Sequence, residues 1–260
     1  MKKFIALLLV LTMALTLFGC GSTGAVETTA APTEAATEPA TEAATEAATE
    51  APAETEAPAA VMTHDEYIAA ELDTEVTVEC YVQATQSWWE DKITVYAQAE
   101  DGAYFIYELA CSEEDAAKLV PGTKIRVTGF KGEWAGEVEI MDATFEFVEG
   151  ETWTAEALDV TELLGTDELI DHQNELVAFT GMTVEAIAYK NDEPGDDIYV
   201  TLSLNGESYD FCVEVYLTGT DSEVYTTVGK LEVGDVVNVE GFLYWYEGVN
   251  PHITSIAIAE

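Results

Sequence analysis

Basic residues are scarce in this chain of 260 amino acids. It holds nine lysines and arginines against 51 aspartates and glutamates, and its formal net charge at pH 7 is −42. Proteins that bind nucleic acid neutralise phosphates with lysine and arginine, whereas a strongly acidic chain repels a polyanion at long range. Lys124, Arg126 and Lys131 lie near one another in the sequence, but they make only a thin basic patch. The charge balance therefore disfavours nucleic acid as a partner.

Cysteines are also few. The chain has four, at positions 20, 80, 111 and 212. Cys20 ends the N-terminal apolar run, and the remaining three are an odd number, which does not make a disulfide framework. A bond between Cys80 and Cys111 is one reading of these residues, and buried free thiols are the other.

The residue patterns of known catalytic and metal sites are missing. The three histidines, at positions 64, 172 and 252, lie far apart in the sequence. The chain has no His-Glu-x-x-His, phosphate-binding loop or nucleophile elbow. We therefore predict no enzyme activity, no cofactor and no metal site. His252, in Asn-Pro-His-Ile, is predicted to be a surface residue that starts the last strand.

The acidic loop 191–197 is the one segment that raises the question of a metal. Its carboxylates could gather around a calcium ion, which prefers oxygen ligands. The loop lacks the regular spacing of a calcium hand. A solvated acidic turn is therefore the default interpretation.

The apolar run at the N-terminus, residues 4–18, is too short for a membrane span of ~20 residues. It follows Lys2 and Lys3, as in a secretory signal peptide, which we place at residues 1–20. The run ends in Leu-Phe-Gly-Cys, which resembles the lipobox of bacterial lipoproteins. That resemblance implies that Cys20 is acylated and anchors the chain to the outer side of the cell membrane. An ordinary signal peptide with an incidental cysteine is the alternative.

Residues 21–61 are predicted to be a disordered tether. Alanine, threonine, glutamate and proline make up the run from Glu27 to Ala60, which contains no aromatic or basic residue. A segment with low hydrophobicity and one sign of charge cannot build a packed core.

The rest of the chain repeats itself. Residues 119–130 read Leu-Val-Pro-Gly-Thr-Lys-Ile-Arg-Val-Thr-Gly-Phe, and residues 231–242 read Leu-Glu-Val-Gly-Asp-Val-Val-Asn-Val-Glu-Gly-Phe. The shared positions are glycines and apolar residues, while the polar positions between them differ. This repeated line is therefore predicted to be scaffold: a turn and a half-buried strand, with Gly129 and Gly241 at a bend and both phenylalanines in the core. It divides the folded chain into residues 62–149 and 155–260.

Each half shows the same order of elements. A short helix and a long strand precede a hairpin, which Asp101-Gly102 predicts in the first half and Asn205-Gly206 in the second. A short helix and two further strands follow. This order, with the repeated line as fourth strand, resembles a tandem OB-fold. The predicted fold is all-β with short helices: two five-stranded OB-like β-barrels in tandem after a disordered linker.

The resemblance to the OB-fold places a binding site on the second and third strands and the loops beside them. On the third strand, Phe105, Tyr107 and Leu109 are predicted to face inward, and Tyr104 and Ile106 outward. The predicted ligand-binding residues are Trp88, Trp89, Tyr96, Tyr104, Trp134, Trp245 and Tyr246.

Aromatic side chains of this kind stack on sugars, bases or peptide side chains. The leading hypothesis is a lipid-anchored, non-enzymatic binding module on the cell surface. Its ligand would be an extracellular oligosaccharide, peptide or envelope protein, and its membrane contact would be lipidated Cys20. A nucleic-acid-binding OB-fold protein and a structural spacer or assembly protein of the envelope are the alternatives.

Overall fold

Residues 75–147 form a closed five-stranded barrel. The computed structural model describes residues 60–259. The five strands are β1 (Glu75–Thr85), β2 (Lys92–Ala99), β3 (Gly102–Ala110), β4 (Lys124–Trp134) and β5 (Glu137–Phe147). Around the barrel their order is β1-β2-β3-β5-β4, and β4 pairs with β1 to close it. A closed five-stranded barrel confirms the OB-like prediction for this half of the chain.

The second half forms a ring-like sheet of six strands. They are β6 (Leu158–Asp159), β7 (Leu176–Tyr189), β8 (Ile198–Leu204), β9 (Glu207–Val213), β10 (Val236–Phe242) and β11 (His252–Ile258). Their order is β10-β11-β9-β8-β7-β6, and an additional pairing of β10 with β7 closes the ring. The pairing of β11 with β9 is parallel and rests on His252 opposite Cys212. The two-residue edge strand β6 is additional to the predicted five strands and pairs parallel with β7.

Helices are short. The α-helices are α1 (His64–Ala69), α2 (Glu113–Ala116), α3 (Val215–Thr218) and α4 (Glu223–Val228). Thr63 and Glu66 make a capping box at the start of α1. Three 3-10 segments lie at Thr161–Leu163, Asp167–His172 and Lys190–Asp192. None of the helices among residues 60–259 has the length and apolar character needed to cross a membrane.

Each sheet encloses its own apolar core. In the barrel, alternate residues of β1 point inward, so that Val78, Cys80 and Val82 are fully buried. In the ring, Phe179 and Phe211 meet edge to face with ring centroids 5.2 Å apart. The three cysteines of residues 60–259 are buried free thiols, so the possible Cys80–Cys111 disulfide is not formed.

The repeated line is scaffold, as predicted. Gly129 and Gly241 each sit at a register shift in the pairing with the next strand. A Cβ atom on Gly129 would lie 2.7 Å from the carbonyl oxygen of Met141, and one on Gly241 would collide with the carbonyl oxygen of His252. These positions therefore need glycine because two backbones approach closely. The prediction that both phenylalanines are core is half wrong: Phe242 is buried, but Phe130 is exposed.

The first hairpin turns one residue earlier than predicted. Gly102 already pairs with Ala99, so the turn is Glu100-Asp101, whereas Asn205-Gly206 is the turn of the second hairpin. Because side chains alternate along a strand, a slip of one residue exchanges the two faces. The predicted faces of β3 are therefore wrong for most positions. The side chains of Tyr104 and Ile106 lie in the barrel core.

Candidate functional site

The barrel and the ring are joined by a small aromatic core of their own. The described residues belong to one compact unit. The junction core consists of Tyr96 and Phe105 from the barrel and Phe242 and Tyr244 from the ring, all buried. Tyr96 stacks on Phe242 with centroids 4.5 Å apart, and Tyr244 meets Phe105 at 5.2 Å. The two sheets are therefore held in a fixed relation by packed rings.

Polar contacts reinforce this junction. The Tyr96 hydroxyl lies 2.7 Å from Nδ1 of His252, and Gln86 donates from Nε2 to Glu214 at 2.8 Å. Burial lowers the pKa of His252 to about 4, so this histidine is neutral at pH 7. The predictions that His252 is a surface residue and that Tyr96 faces a ligand are both wrong, because the two side chains bury each other.

Between the two sheets, beside the junction core, lies a cleft of about 1330 Å³, which we call the interface cleft. Four half-exposed aromatic rings line it. Tyr107 and Trp134 come from the barrel, and Tyr199 and Tyr246 come from the ring. The rings of Trp134 and Tyr246 lie 5.1 Å apart across the junction, inclined by 39°. Two sheets thus contribute equally to one aromatic wall.

A bulge in β3 directs Tyr107 into the interface cleft. The partner register of β3 shifts between Ile106 and Leu109, and Glu108 takes a positive φ of 47°. The extra residue turns Tyr107 outward while Ile106 and Leu109 stay in the core. Bulges beside binding sites commonly re-aim a side chain in this way.

The interface cleft is acidic. Its lining carboxyl groups belong to Glu139, Asp197, Asp210, Glu214 and Glu247. Lys190 is the cationic residue of the lining, and its Nζ already lies 2.9 Å from Asp197. Burial raises the pKa of Glu214 to about 7. A ligand in this cleft therefore meets carboxyl oxygens and aromatic faces rather than positive charge.

Two neighbouring glutamates of β5 behave differently from the surface carboxylates. Glu139 lines the cleft, and burial raises its pKa. Glu137 is fully buried at the junction, and burial raises its pKa to about 8. Its Oε2 accepts from the backbone N–H of Trp245 at 2.8 Å and from Nε2 of Gln173 at 3.2 Å. At pH 7 Glu137 is therefore mostly a neutral carboxylic acid.

A smaller groove of about 350 Å³ adjoins the interface cleft, and we call it the side groove. Trp89, which is 72% exposed, and Tyr216 of helix α3 both line it. The indole of Trp88 donates to the carbonyl of Cys111 at 2.8 Å and packs against the barrel core. Both predicted loop tryptophans line the side groove, and Trp89 is the more exposed of the two.

The predicted site residues thus divide into two groups. Trp134 and Tyr246 come together in the interface cleft, and Trp89 borders the side groove. The predicted outward position of Tyr104 is wrong, because its ring is in the barrel core. Trp245 packs against the core of the ring. Tyr107 was predicted to face inward, and Glu139 and Tyr244 of the cleft lining were not predicted. The alternation of β5 around buried Ile140 is the signal that could have placed Glu139.

The thin basic patch does not present free positive charge. Lys124 and Arg126 both contact Glu79, each at 2.7 Å. Lys131 is buried and donates from Nζ to three carbonyls at the end of α1. These three residues are therefore occupied within the barrel.

The acidic loop 191–197 is held by internal contacts. Asn191 donates to Asp196 at 2.7 Å, and Asp197 accepts from the backbone N–H of Val215 at 2.9 Å. Across residues 60–259, no group of three or more histidine, cysteine, aspartate or glutamate side chains could hold a metal ion.

The sequence matches no protein-family model and no curated protein. Among solved structures, a murine DNA-binding protein bound to double-stranded DNA is 13% identical, with a TM-score of 0.36, over 71% of this chain and 96% of that one. A replication protein A heterotrimer bound to single-stranded DNA is 12% identical, with a TM-score of 0.32, over 74% of this chain and 51% of that one. The asparaginyl-tRNA synthetase of Pyrococcus horikoshii is 18% identical, with a TM-score of 0.28; this chain spans 19% of its length, with 33% of its own residues aligned.

These comparisons correct two predictions. The first is the leading hypothesis of a surface module for oligosaccharides, peptides or envelope proteins, and the second is that nucleic acid is disfavoured as a partner. The similar structures include proteins solved with double-stranded and single-stranded DNA. At TM-scores of 0.36 and below, these likenesses concern the fold.

Proposed function

We propose that this chain binds single-stranded nucleic acid, with unpaired bases stacked on the aromatic rings of the interface cleft. The observation that carries the proposal is the convergence of Tyr107, Trp134, Tyr199 and Tyr246 from two sheets on one open surface. Every base has a flat face, so a row of exposed rings accepts a strand with little regard to sequence. The side groove, with Trp89 and Tyr216, continues this aromatic surface.

The acidic lining determines how such a strand would lie. Five carboxyl groups and one paired lysine cannot track phosphates, so the bases point into the cleft and the phosphates point to solvent. Binding to a basic protein weakens as salt rises, because counterions are released. Here added salt screens the repulsion between like charges instead. We therefore expect the affinity to hold or increase between about 50 and 200 mM salt, opposite to the usual trend.

Trp134→Ala tests the stacking. A stacked base contributes ~1–3 kcal/mol, so the variant should bind a labelled 12-nucleotide single strand about 5- to 140-fold more weakly than the wild type. Fluorescence anisotropy measures the affinity. Phe147→Ala is the matched control, since this exposed ring lies outside the cleft and should change the affinity by less than about twofold. Absence of binding to DNA and RNA strands at every salt concentration would refute the proposal, as would full affinity in Trp134→Ala.

The ring-like sheet is, in our proposal, a second OB-like barrel that arose by duplication of the first. The ring repeats the pairing order of the barrel when β7, β8, β9, β11 and β10 are read in place of β1, β2, β3, β5 and β4. The matching glycines of the repeated line support the same interpretation. The boundaries 62–149 and 155–260 remain part of this proposal.

Lipidation of Cys20 lies outside the described residues and remains a prediction, as do the signal peptide 1–20 and the tether 21–61. The prediction places the interface cleft outside the cell, where single-stranded nucleic acid would be an extracellular ligand. Expression in a bacterial host with an alkyne-labelled fatty acid tests it. The wild type should be labelled and should sediment with membranes, while Cys20→Ala should lose the label. An unlabelled wild type would contradict the prediction.

A further inference from the structure

An exposed carboxylate lies beside the paired rings of Trp134 and Tyr246. Glu247 directly follows Tyr246 in the chain and lines the interface cleft. Its backbone N–H donates at 2.7 Å to the carbonyl oxygen of Ala135, which follows Trp134. The N–H of Tyr246 donates to the carbonyl oxygen of Gly248 at 2.8 Å, so Glu247 lies within a tight turn, with a positive φ of 55°. The backbone of Glu247 is therefore fixed next to two rings whose centroids are 5.1 Å apart.

A second exposed carboxylate lies beside Tyr199. Strands β8 and β9 pair without a bulge, with Tyr199 opposite Cys212 and Thr201 opposite Asp210. Because side chains alternate along a strand, Tyr199 and Asp210 lie on the same face of the sheet as diagonal neighbours. The Thr201 hydroxyl donates to Oδ1 of Asp210 at 2.9 Å, which orients the carboxylate. Both Tyr199 and Asp210 are exposed in the lining of the interface cleft.

The other carboxyl groups of the lining are engaged or buried. Asp197 pairs with Lys190 at 2.9 Å, and Glu214 accepts from Nε2 of Gln86 at 2.8 Å. Glu139 is 5% exposed. The exposed carboxylates that a base in the cleft would meet are therefore those of the two positions beside the rings.

The bases differ in what they offer to a carboxylate. An ionised carboxylate accepts hydrogen bonds and donates none. Adenine and cytosine carry an exocyclic amino group at N6 or N4, and guanine carries one at N2. Thymine and uracil instead have a carbonyl oxygen, O4, in the place of the cytosine amino group. An amino group donates to a carboxylate in a charge-assisted hydrogen bond, whereas O4 sets one acceptor against another.

We propose that the interface cleft selects strands whose bases carry an exocyclic amino group, and that Glu247 and Asp210 determine this specificity. The inference rests on the proposed function, in which the bases point into the cleft. Stacking on the rings accepts every base, and the carboxylates beside the rings distinguish among them. Cytosine, adenine and guanine are therefore favoured over thymine and uracil.

Labelled strands of 12 deoxycytidines and of 12 deoxyuridines are the matched probes. Their bases differ in the amino or carbonyl group at position 4 and in the proton on the neighbouring ring nitrogen. Fluorescence anisotropy with the full chain, at pH 7.5 and about 150 mM salt, measures both affinities. We expect the wild type to bind the deoxycytidine strand about tenfold more tightly than the deoxyuridine strand.

The double variant Glu247→Gln with Asp210→Asn tests the two carboxylates. An amide both donates and accepts, so this variant should bind the two strands within about twofold of each other. The change in preference should come mainly from weaker binding of the deoxycytidine strand. Both positions are exposed, so the variant should keep the fold. Glu149→Gln removes a charge from an exposed position outside the cleft and should keep the wild-type preference.

The outcomes separate this inference from the proposed function. A wild type that binds the deoxyuridine strand as tightly as the deoxycytidine strand, or more tightly, would overturn the inference and leave the proposed function standing. A folded double variant that keeps the wild-type preference would also overturn it. Absence of binding to both strands would instead reject the proposed function, and the inference with it.

Discussion

Glu137→Gln should make the protein more stable at pH 9 by about 2–4 kcal/mol and leave its stability at pH 5 nearly unchanged. In the folded chain burial raises the pKa of Glu137 to about 8 from an ordinary value of 4.5. The folded state therefore keeps a proton that the unfolded state loses between these values. The stabilisation is complete below pH 4.5 and is lost as the pH rises through 8, where the wild type must bury a charge.

The orphaned atoms around Glu137 explain why glutamine fits. Its Oε1 and the Oδ1 of Asn174 are both buried acceptors without a partner among residues 60–259. The Asn174 side chain also lowers the pKa of Glu137, against the larger effect of burial, so the two side chains are neighbours. A glutamine amide can accept from Trp245 and Gln173 with its oxygen and donate toward Asn174 with its nitrogen. It imitates the protonated acid at every pH.

Urea unfolding of wild type and variant at pH 5, 7 and 9 measures the effect. The quantity to compare is the difference in free energy of unfolding between the two proteins, because Glu214 and His252 also titrate and change the pH dependence of both. Glu149→Gln is the matched control, since Glu149 is exposed, and it should shift the stability by less than about 0.5 kcal/mol. A Glu137→Gln variant that is less stable than wild type at pH 9 would mean that the buried group is a paired carboxylate.

Lys131→Met should destabilise the protein by about 2–4 kcal/mol. The Nζ of Lys131 donates to the carbonyls of Tyr67, Ile68 and Ala70 at 3.0, 2.6 and 2.9 Å. These carbonyls end helix α1, where the negative end of the helix dipole favours a cation. The ammonium group also lies 5.3 Å from the centre of the Tyr67 ring. Methionine fills the same space but leaves the carbonyls without a donor.

Lys92→Met is the comparison for this variant. Lys92 forms an exposed ion pair with Glu108, at 2.6 Å, and its loss should cost no more than about 0.5 kcal/mol. Urea unfolding at pH 7 gives both values. If Lys131→Met costs as little as Lys92→Met, the end of α1 is satisfied by water and the buried lysine is dispensable.

Local signals in the sequence were enough to predict the scaffold. Gly129 and Gly241 recur at fixed positions within alternating apolar residues, and this pattern indicates a strand with a bend. The faces of β3 were beyond such reasoning. Asp101-Gly102 is a strong turn signal, but Glu100-Asp101 forms the turn, and a one-residue shift reverses the side chains that follow, up to the bulge at Glu108.

The binding surface could be predicted only in part, for a similar reason. Trp134 and Tyr246 occupy matching positions after the repeated line, so aligning the two halves identified both as candidate site residues. Tyr199 and Glu139 line the interface cleft only because the two sheets pack against each other. That packing depends on contacts such as Tyr96 with His252, which are 156 residues apart. The pattern of apolar residues within either half does not predict a contact between the two halves.

The junction core also prevents the two halves of the chain from being separated without exposing apolar surface. Its rings, Tyr96 and Phe105 on one side and Phe242 and Tyr244 on the other, are buried only while both halves are present. A chain cut between residues 149 and 155 would present a bare aromatic face on each fragment, a surface that promotes aggregation. The two halves are therefore not interchangeable modules. Deleting, permuting or exchanging either one removes part of a core and one wall of the interface cleft together.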